Sequence, residues 1–332
     1  MGTHPRDLPL DQARALVARA VDKAEQLGLR GGLAVVGASG ALVSASRLDH
    51  GGPGGMARAR SKAWISATQQ IPSSEHLRRM TSLPGPISSG FVAASPEALF
   101  PGAGGMPVLR EGVVVGGVAA SGATVSPFLP DGVAPEVVSA EGEPANPEDL
   151  LVAYALGVTY VGQHGDDRAR WEARFGDLVV APEDSLGMKA APSASRQHEL
   201  AWAVSLCDRV IAAAHDRGLR LSVAVVDRGG DPVQQDRMDD GVAGGVDVAL
   251  ATASASARFG VPSGDLLPTY GDAAATLAAL APSPFLAAPG GVPLVVDARV
   301  VGGLGVGGAD PGACAEIAAE VAAEIAGEGA GR

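Results

Sequence analysis

Apolar residues early in the chain recur at helical spacing. Ala13, Leu16, Val17, Ala20, Ala24 and Leu27 fall at i, i+3, i+4, i+7 and so line one face of an amphipathic helix. Gly28 follows it, the residue type that takes φ > 0 after a helix C-terminus. The pattern then switches to extended segments. LAVVG and ALVSASRL predict a hairpin turning at Ala38-Ser39-Gly40. Small residues over roughly 54–69 predict a second helix. MPVLR and VVVGGVAAS, joined at Glu111-Gly112, predict a second hairpin. A closing helix is placed at about 147–160, with Asn146 as N-cap and Pro147 in its first turn.

The same order returns further along. Gly28-Leu29-Arg30 is matched by Gly218-Leu219-Arg220, and the register holds without a gap to Ser73 and Ser263, with 19 of 46 positions identical. Among them are Arg47/Arg237, Asp49/Asp239, Gly54-Gly55/Gly244-Gly245 and Pro72/Pro262. After a four-residue shift, Gly104-Gly105-Met106-Pro107 matches Gly290-Gly291-Val292-Pro293, and Val114-Val115-Gly116-Gly117 matches Val300-Val301-Gly302-Gly303. Shared charged residues and a common order of blocks mark a tandem duplication. In the second copy the opening stripe is Ala203, Leu206, Cys207, Val210 and Ala214. The small-residue helix spans about 244–259, and the closing stripe is Cys314, Ile317, Val321 and Ile325. The organisation read from this is one module over 1–160, a connector over 161–195 with one short helix near DDRARWEARFG, and a second module over 196–332. Residues 123–146, rich in Pro, Gly and Glu, are an insertion of the first copy, read as a surface loop or a lid.

AVVDxxGxxxxxxRMD, then a Gly/Ala-rich helix, then GGVPLVVDxxVVGGLGVGG and a last helix resemble the HbpS/GlcG-like family. That family takes in haem-binding proteins, a glycolate-operon protein and the C-terminal domain of PduO-type proteins. The second copy, about 198–328, carries the motifs best. The first, about 8–160, departs from them where Gly37 stands for Asp227 and Val118-Ala119-Ala120-Ser121 for Leu304-Gly305-Val306-Gly307. The resemblance implies an α+β, profilin-like fold, an antiparallel sheet of about five strands flanked by helices, here duplicated as a tandem pseudo-dimer. It also implies binding of haem or another small molecule, and assembly into dimers and higher oligomers.

Composition narrows the function. The 37 acids exceed the 25 bases, for a net charge of −12, so the surface repels nucleic acid and anionic lipid. No apolar run is long enough to span a membrane, and MGTHPRDLPLDQARAL lacks a signal-peptide core. With two cysteines and no CxxC, these features predict a cytoplasmic protein.

Several residues are candidates for chemistry. Arg47 with Asp49, and Arg237 with Asp239, are read as sharing a strand face. They either fork onto an anionic ligand or tie the hairpin to the next helix. The following helix carries Arg58, Arg60 and Lys62 in the first copy and Asp247 in the second. The resemblance implies an Asp near the start of this helix and a Lys further on, so Lys62 and Asp247 read either as the remains of one composite site between the copies or as surface charge. None of His4, His50, His76, His164, His198 and His215 has metal-ligand spacing, so no metal site is expected. His50, beside Gly51-Gly52, is the favoured general base or single haem ligand. His215 reads as a C-terminal helix cap. Gly303, Gly305 and Gly308 spell GxGxxG, but too few residues follow for a dinucleotide fold, and close backbone packing explains them better. The turns at Gly104-Gly105 and Gly290-Gly291 either cradle an anion or reverse the chain, and the resemblance places them at the family's pocket.

Three functions compete on these residues. One is a small-molecule-binding protein, with haem as the family's ligand. Another is a cofactor-independent isomerase, lyase or cyclase acting on an anionic metabolite, with Lys62, His50 and Asp247 as acid and base and Arg47 and Arg237 as clamp. The last is a structural or regulatory partner without a pocket.

Overall fold

The computed structural model describes residues 8–123, 146–158, 198–280 and 284–329. The connector 161–195, nearly all of the 123–146 insertion, and His4 and His164 lie outside the described residues. The described residues form two compact units, the second beginning at His198.

The first unit opens with α1 (Leu10–Leu27). Its expected stripe is buried at Ala13, Leu16, Val17, Ala20 and Ala24. Gly28 stops it at φ 64°, with the Gly28 and Leu29 N–H groups closing back on the Glu25 and Ala24 carbonyls. β1 (Gly32–Gly37) and β2 (Leu42–Arg47) form the first hairpin. α2 (Gly54–Gln69), α3 (Ser73–Ser82) and α4 (Gly85–Ala94) lead to the second hairpin, β3 (Gly105–Arg110) and β4 (Val113–Ser121). α5 (Pro147–Leu156) closes the unit. The antiparallel order is β3-β4-β1-β2, with β1 at the centre buried along its whole length. Both faces of the sheet are therefore covered. α2 packs on one, while α1 and α5, packed together, take the other.

The second unit repeats this plan. α6 (His198–Asp216), β5 (Ser222–Asp227), β6 (Pro232–Arg237) and α7 (Gly245–Phe259) come first. A 3-10 turn (Ser263–Asp265) and the short α8 (Leu266–Tyr270) and α9 (Ala273–Leu280) follow. β7 (Gly291–Val296), β8 (Arg299–Gly307) and α10 (Pro311–Gly329) complete it. The order β7-β8-β5-β6 matches the first sheet, and the register shifts fall at equivalent places, Val35/Val36 with Val225/Val226 and Val108/Leu109 with Leu294/Val295.

The glycines of VVGGLGVGG have a packing cause. A Cβ on Gly303, Gly305 or Gly307 would lie 2.3, 2.0 or 2.7 Å from the backbone oxygens of Ala253, Ala249 and Gly245. α7 therefore rests directly on the β8 backbone, which only glycine permits.

Three expectations change. Each unit shows four strands among the described residues, not about five, because each has two hairpins. α5 stops at Leu156 rather than near 160, since Gly157 turns left-handed at φ 68° and Val158 N–H closes on Ala153. The helices between Ser73 and Ala94 had no counterpart in the apolar periodicity. They start after Pro72 and Pro84, and α4 buries none of its residues, so it has no apolar stripe facing a core. Among the described residues no helix is long and apolar enough to cross a membrane.

Candidate functional site

Several of the expected site residues turn out to shape the chain. β2 and β6 end at Arg47 and Arg237, so Asp49 and Asp239 do not share a strand face with them. The chain leaves the sheet at Leu48 and Met238, whose N–H groups bond Gly31 and Leu221, and turns where His50 and Asp240 both sit at φ 62°. Arg47 is buried, while Arg237 donates to the Gly241 carbonyl of this turn at 2.9 Å. His50 is exposed on the turn and Asp239 is exposed after the strand. Asp247 is exposed in the first turn of α7, where a negative charge suits the helix dipole. His215 is exposed in the last turn of α6.

The repeated glycine turns are pinned by a repeated serine. Ser73 donates to the Gly102 carbonyl, and Ser263 to the equivalent Ala288 carbonyl at 2.6 Å. Both hydroxyls also reach the next turn of chain, Ser73 at Gly105 O (3.5 Å) and Ser263 at Gly291 O (3.3 Å). The Gly104 N–H does face an anion, and that anion belongs to the same unit: Asp149 Oδ1 accepts from it at 2.5 Å.

Lys62 lies at the centre of this arrangement. It is 3% exposed on α2, and its ammonium donates to Glu148 Oε2 and to Ser121 Oγ at 3.3 Å. Its carboxylate partner is thus Glu148 of its own unit. Glu148 Oε1 accepts from Gly122 N–H at 2.6 Å. Asn146 caps α5 through the Glu148 and Asp149 N–H groups, holding both acids in the first turn. Asp149 is 3% exposed, and its Oδ2 has no hydrogen-bond partner. Burial, reinforced by the charge of Glu148, pushes its pKa up to about 7 against the opposing pull of the Gly104 N–H and Lys62.

An aromatic ring covers the ammonium. Phe100 has its centroid 5.7 Å from Lys62 Nζ and 5.8 Å from the Arg58 guanidinium carbon, one helical turn away on α2. Ser61 positions it, accepting the Phe100 N–H at 2.7 Å and donating to Ala98 O at 2.7 Å. Phe100 is 48% exposed, and Arg58 makes no hydrogen bond or ion pair among the described residues. At Gly102 an added Cβ would meet only Lys62 Cε, at 3.9 Å, so little bulk separates the lysine from that side.

The second unit provides an internal control. Its N-cap Asp310 bonds the Gly312 and Ala313 N–H groups just as Asn146 bonds those of Glu148 and Asp149. Leu286 N–H bonds Ala251 O where Phe100 N–H bonds Ser61. At the positions of Arg58, Lys62, Phe100, Ser121, Glu148 and Asp149 this unit has Val248, Thr252, Leu286, Gly307, Gly312 and Ala313. The Thr252 hydroxyl is satisfied within α7, at Val248 O and Ala249 O. The fold therefore forms without the charged centre. Sequence reading found Lys62 but missed Glu148 and Asp149. Aligning the closing helices on Asn146-Pro147 and Asp310-Pro311 exposes the pair as acids in one copy only.

A second feature lies at the start of α3. Ser73, Ser74, Glu75 and His76 are all buried. Glu75 pairs with Arg78 and Arg79 at 3.1 and 3.0 Å. His76 Nε2 has no hydrogen-bond partner, and its ring lies 5.3 Å from that of Phe91. Burial, with Arg79 close by, lowers the His76 pKa. Next to it, α4 exposes Ile87, Phe91 and Val92. Among the described residues no group of His, Cys, Asp and Glu is arranged to hold a metal ion.

The family model described as haem degrading protein HbpS-like matches residues 8–127 and 198–324. Similar solved structures include a double mutant of Streptomyces reticuli HbpS, at 29% identity, covering 42% of this chain and 99% of that one with a TM-score of 0.36. Klebsiella pneumoniae protein ORFY is 21% identical, covering 42% and 97%, TM-score 0.36. A PduOC–haem complex is 22% identical, covering 41% and 96%, TM-score 0.35. A search of curated proteins matched none.

Proposed function

The chain belongs to the HbpS-like family, and from that premise we propose that it binds a small anionic molecule in its first unit, at Arg58, Lys62 and Phe100. One observation carries this reading: the second unit keeps the strands, caps and serine clamp but none of the charged centre. A buried ion pair seldom stabilises a fold more than apolar packing of the same volume. A unit that retains one, beside a twin that folds without it, retains it for a ligand. Arg58 supplies a planar fork for a carboxylate, Phe100 a flat wall, and Lys62 a cation fixed from behind by Glu148. Cys207 and Cys314, both buried and neither in a disulfide, suit a reducing cytoplasm.

Calorimetric titration of the whole protein with pyruvate and 2-oxoglutarate tests the reading. Binding weakened at least tenfold in Arg58→Ala is the expected result. Absence of binding, or affinity unchanged in Arg58→Ala, overturns it.

A second reading, haem binding, rests on His76. A buried imidazole with an unpartnered Nε2, beside Phe91 and the exposed apolar α4, would suit an iron ligand better than the exposed His50. His76 would hold the iron, and Ile87, Phe91 and Val92 would contact the macrocycle. Bound haem would supply redox chemistry at its iron. Titration with hemin should give a Soret band that His76→Ala abolishes and His50→Ala leaves in place. No band, or one indifferent to His76→Ala, rejects this assignment.

A further inference from the structure

The anion seat explains Arg58 and Phe100, but it leaves Asp149 unused. A ligand held only by charge has no need of a buried carboxyl whose second oxygen bonds to nothing. We infer that the centre is an acid–base site for small 2-oxo acids, in which Asp149 Oδ2 exchanges a proton with the carbon next to the substrate carbonyl. This rests on the anion seat proposed above.

Three observations converge on it. First, Asp149 is oriented from one side only: Oδ1 is held by the Gly104 N–H, and Oδ2 is left bare. A purely structural carboxylate at this depth would engage both oxygens, because an unmatched buried polar atom costs about 1–3 kcal/mol. Second, a fixed cation lies alongside. Lys62 is braced by Glu148 and Ser121, so its ammonium is oriented before substrate arrives. Third, the second unit lacks acid, cation, ring and arginine together at the matching positions, as expected for parts of one device.

The charged groups around Asp149 set its readiness. Glu148 faces it from its own helix and disfavours ionisation, while Lys62 favours ionisation from α2. Arg58 stands one turn from Lys62 across the same ring. On α1, Arg19 donates to Ala155 O and Lys23 lies over the Tyr154 ring, both at the far end of α5. A general base works best with a pKa near the working pH, and burial brings Asp149 to about 7.

The step balances without a co-reactant. The substrate carboxylate sits on Arg58 and its 2-oxo oxygen faces Lys62. Ionised Asp149 takes a proton from the carbon next to the carbonyl. The C–H pair forms a C=C bond, and the carbonyl π pair moves to oxygen, where the Lys62 ammonium donates a hydrogen bond. Return of a proton from Asp149 to carbon restores the keto form. Lys62 keeps its proton throughout, and nothing is oxidised or reduced.

The test uses the whole protein and pyruvate in D2O, with loss of the methyl signal followed by NMR. Exchange at least tenfold above the buffer rate is expected, rising through pD 6–8 as Asp149 ionises. Asp149→Asn should abolish exchange while still binding pyruvate. A flat pD profile, exchange retained in Asp149→Asn, or wild-type binding without exchange each overturns the acid–base role and leaves the anion seat standing. If neither pyruvate nor 2-oxoglutarate binds, the seat and the chemistry fail together. The wild-type profile decides the matter even if Asp149→Asn does not fold.

Discussion

Replacing Lys62 by Met removes the only side chain paired with Glu148 among the described residues. The change keeps most of the volume and takes away the ammonium. Glu148 is then left buried, with one Gly122 N–H as its remaining bond. Left unpaired at this depth, it costs about 3–5 kcal/mol, the usual penalty for breaking a buried pair from one side. The first unit should therefore lose about 3–5 kcal/mol at pH 7. The triple variant Lys62→Met, Glu148→Gln, Asp149→Asn removes the three buried charges but keeps the bonds to Gly122 and Gly104, and should lie within about 1–2 kcal/mol of wild type. Hydrogen exchange of the α2 and α5 amides reads the first unit by itself. Exchange roughly a hundredfold faster in the single variant at pH 7, largely recovered in the triple, is the expected pattern. A single variant costing under about 1 kcal/mol would refute the penalty assigned to the buried pair, and a triple as damaged as the single would show that the charges hold the fold together, so that the functional reading would lose its basis.

Three further outcomes follow from the geometry. Asp149 has a folded pKa of about 7 against roughly 3.9 when unfolded. The folded state thus binds the proton more tightly, and stability falls as pH rises from about 4 through 7, by up to roughly 4 kcal/mol; urea midpoints across that range should slope downward in wild type and flatten in Asp149→Asn. Gly305→Ala pushes a Cβ to 2.0 Å from Ala249 O and should cost about 3 kcal/mol, whereas Gly244→Ala, with open space and φ −64°, should change thermal stability by less than about 1 kcal/mol. Ser263→Ala strips the Gly291 N–H of its acceptor and two carbonyls of a donor, so it should destabilise the second unit by about 1–3 kcal/mol in denaturant unfolding, with Ser73→Ala acting likewise on the first.

Local pattern and repetition determined much of this protein. The stripe of Ala13, Leu16, Val17 and Ala20, the stop at Gly28, both hairpins and the Asn146-Pro147 cap follow from interactions within a few residues of chain, and those interactions are written in order along it. Repetition then fixed the equivalences, since Ser73 and Ser263, or Gly104 and Gly290, hold the same turn in each unit. Tertiary structure decided what no short window contains. Lys62 and Glu148 are 86 residues apart in sequence, and neither spacing nor hydropathy joins them. Only the packing of α2 and α5 about the end of β4 brings them to one ion pair. Asp149 likewise looks like an ordinary first-turn acid until burial strips one of its oxygens of water and of partners. The shared strand face expected of Arg47 and Asp49 failed for the opposite reason: strand spacing was extended past Leu48, where a backbone bond to Gly31 had already turned the chain out of the sheet. Charge reveals its use only once folding fixes which partners it has and which it lacks, because the cost of burying it depends on all the neighbours at once.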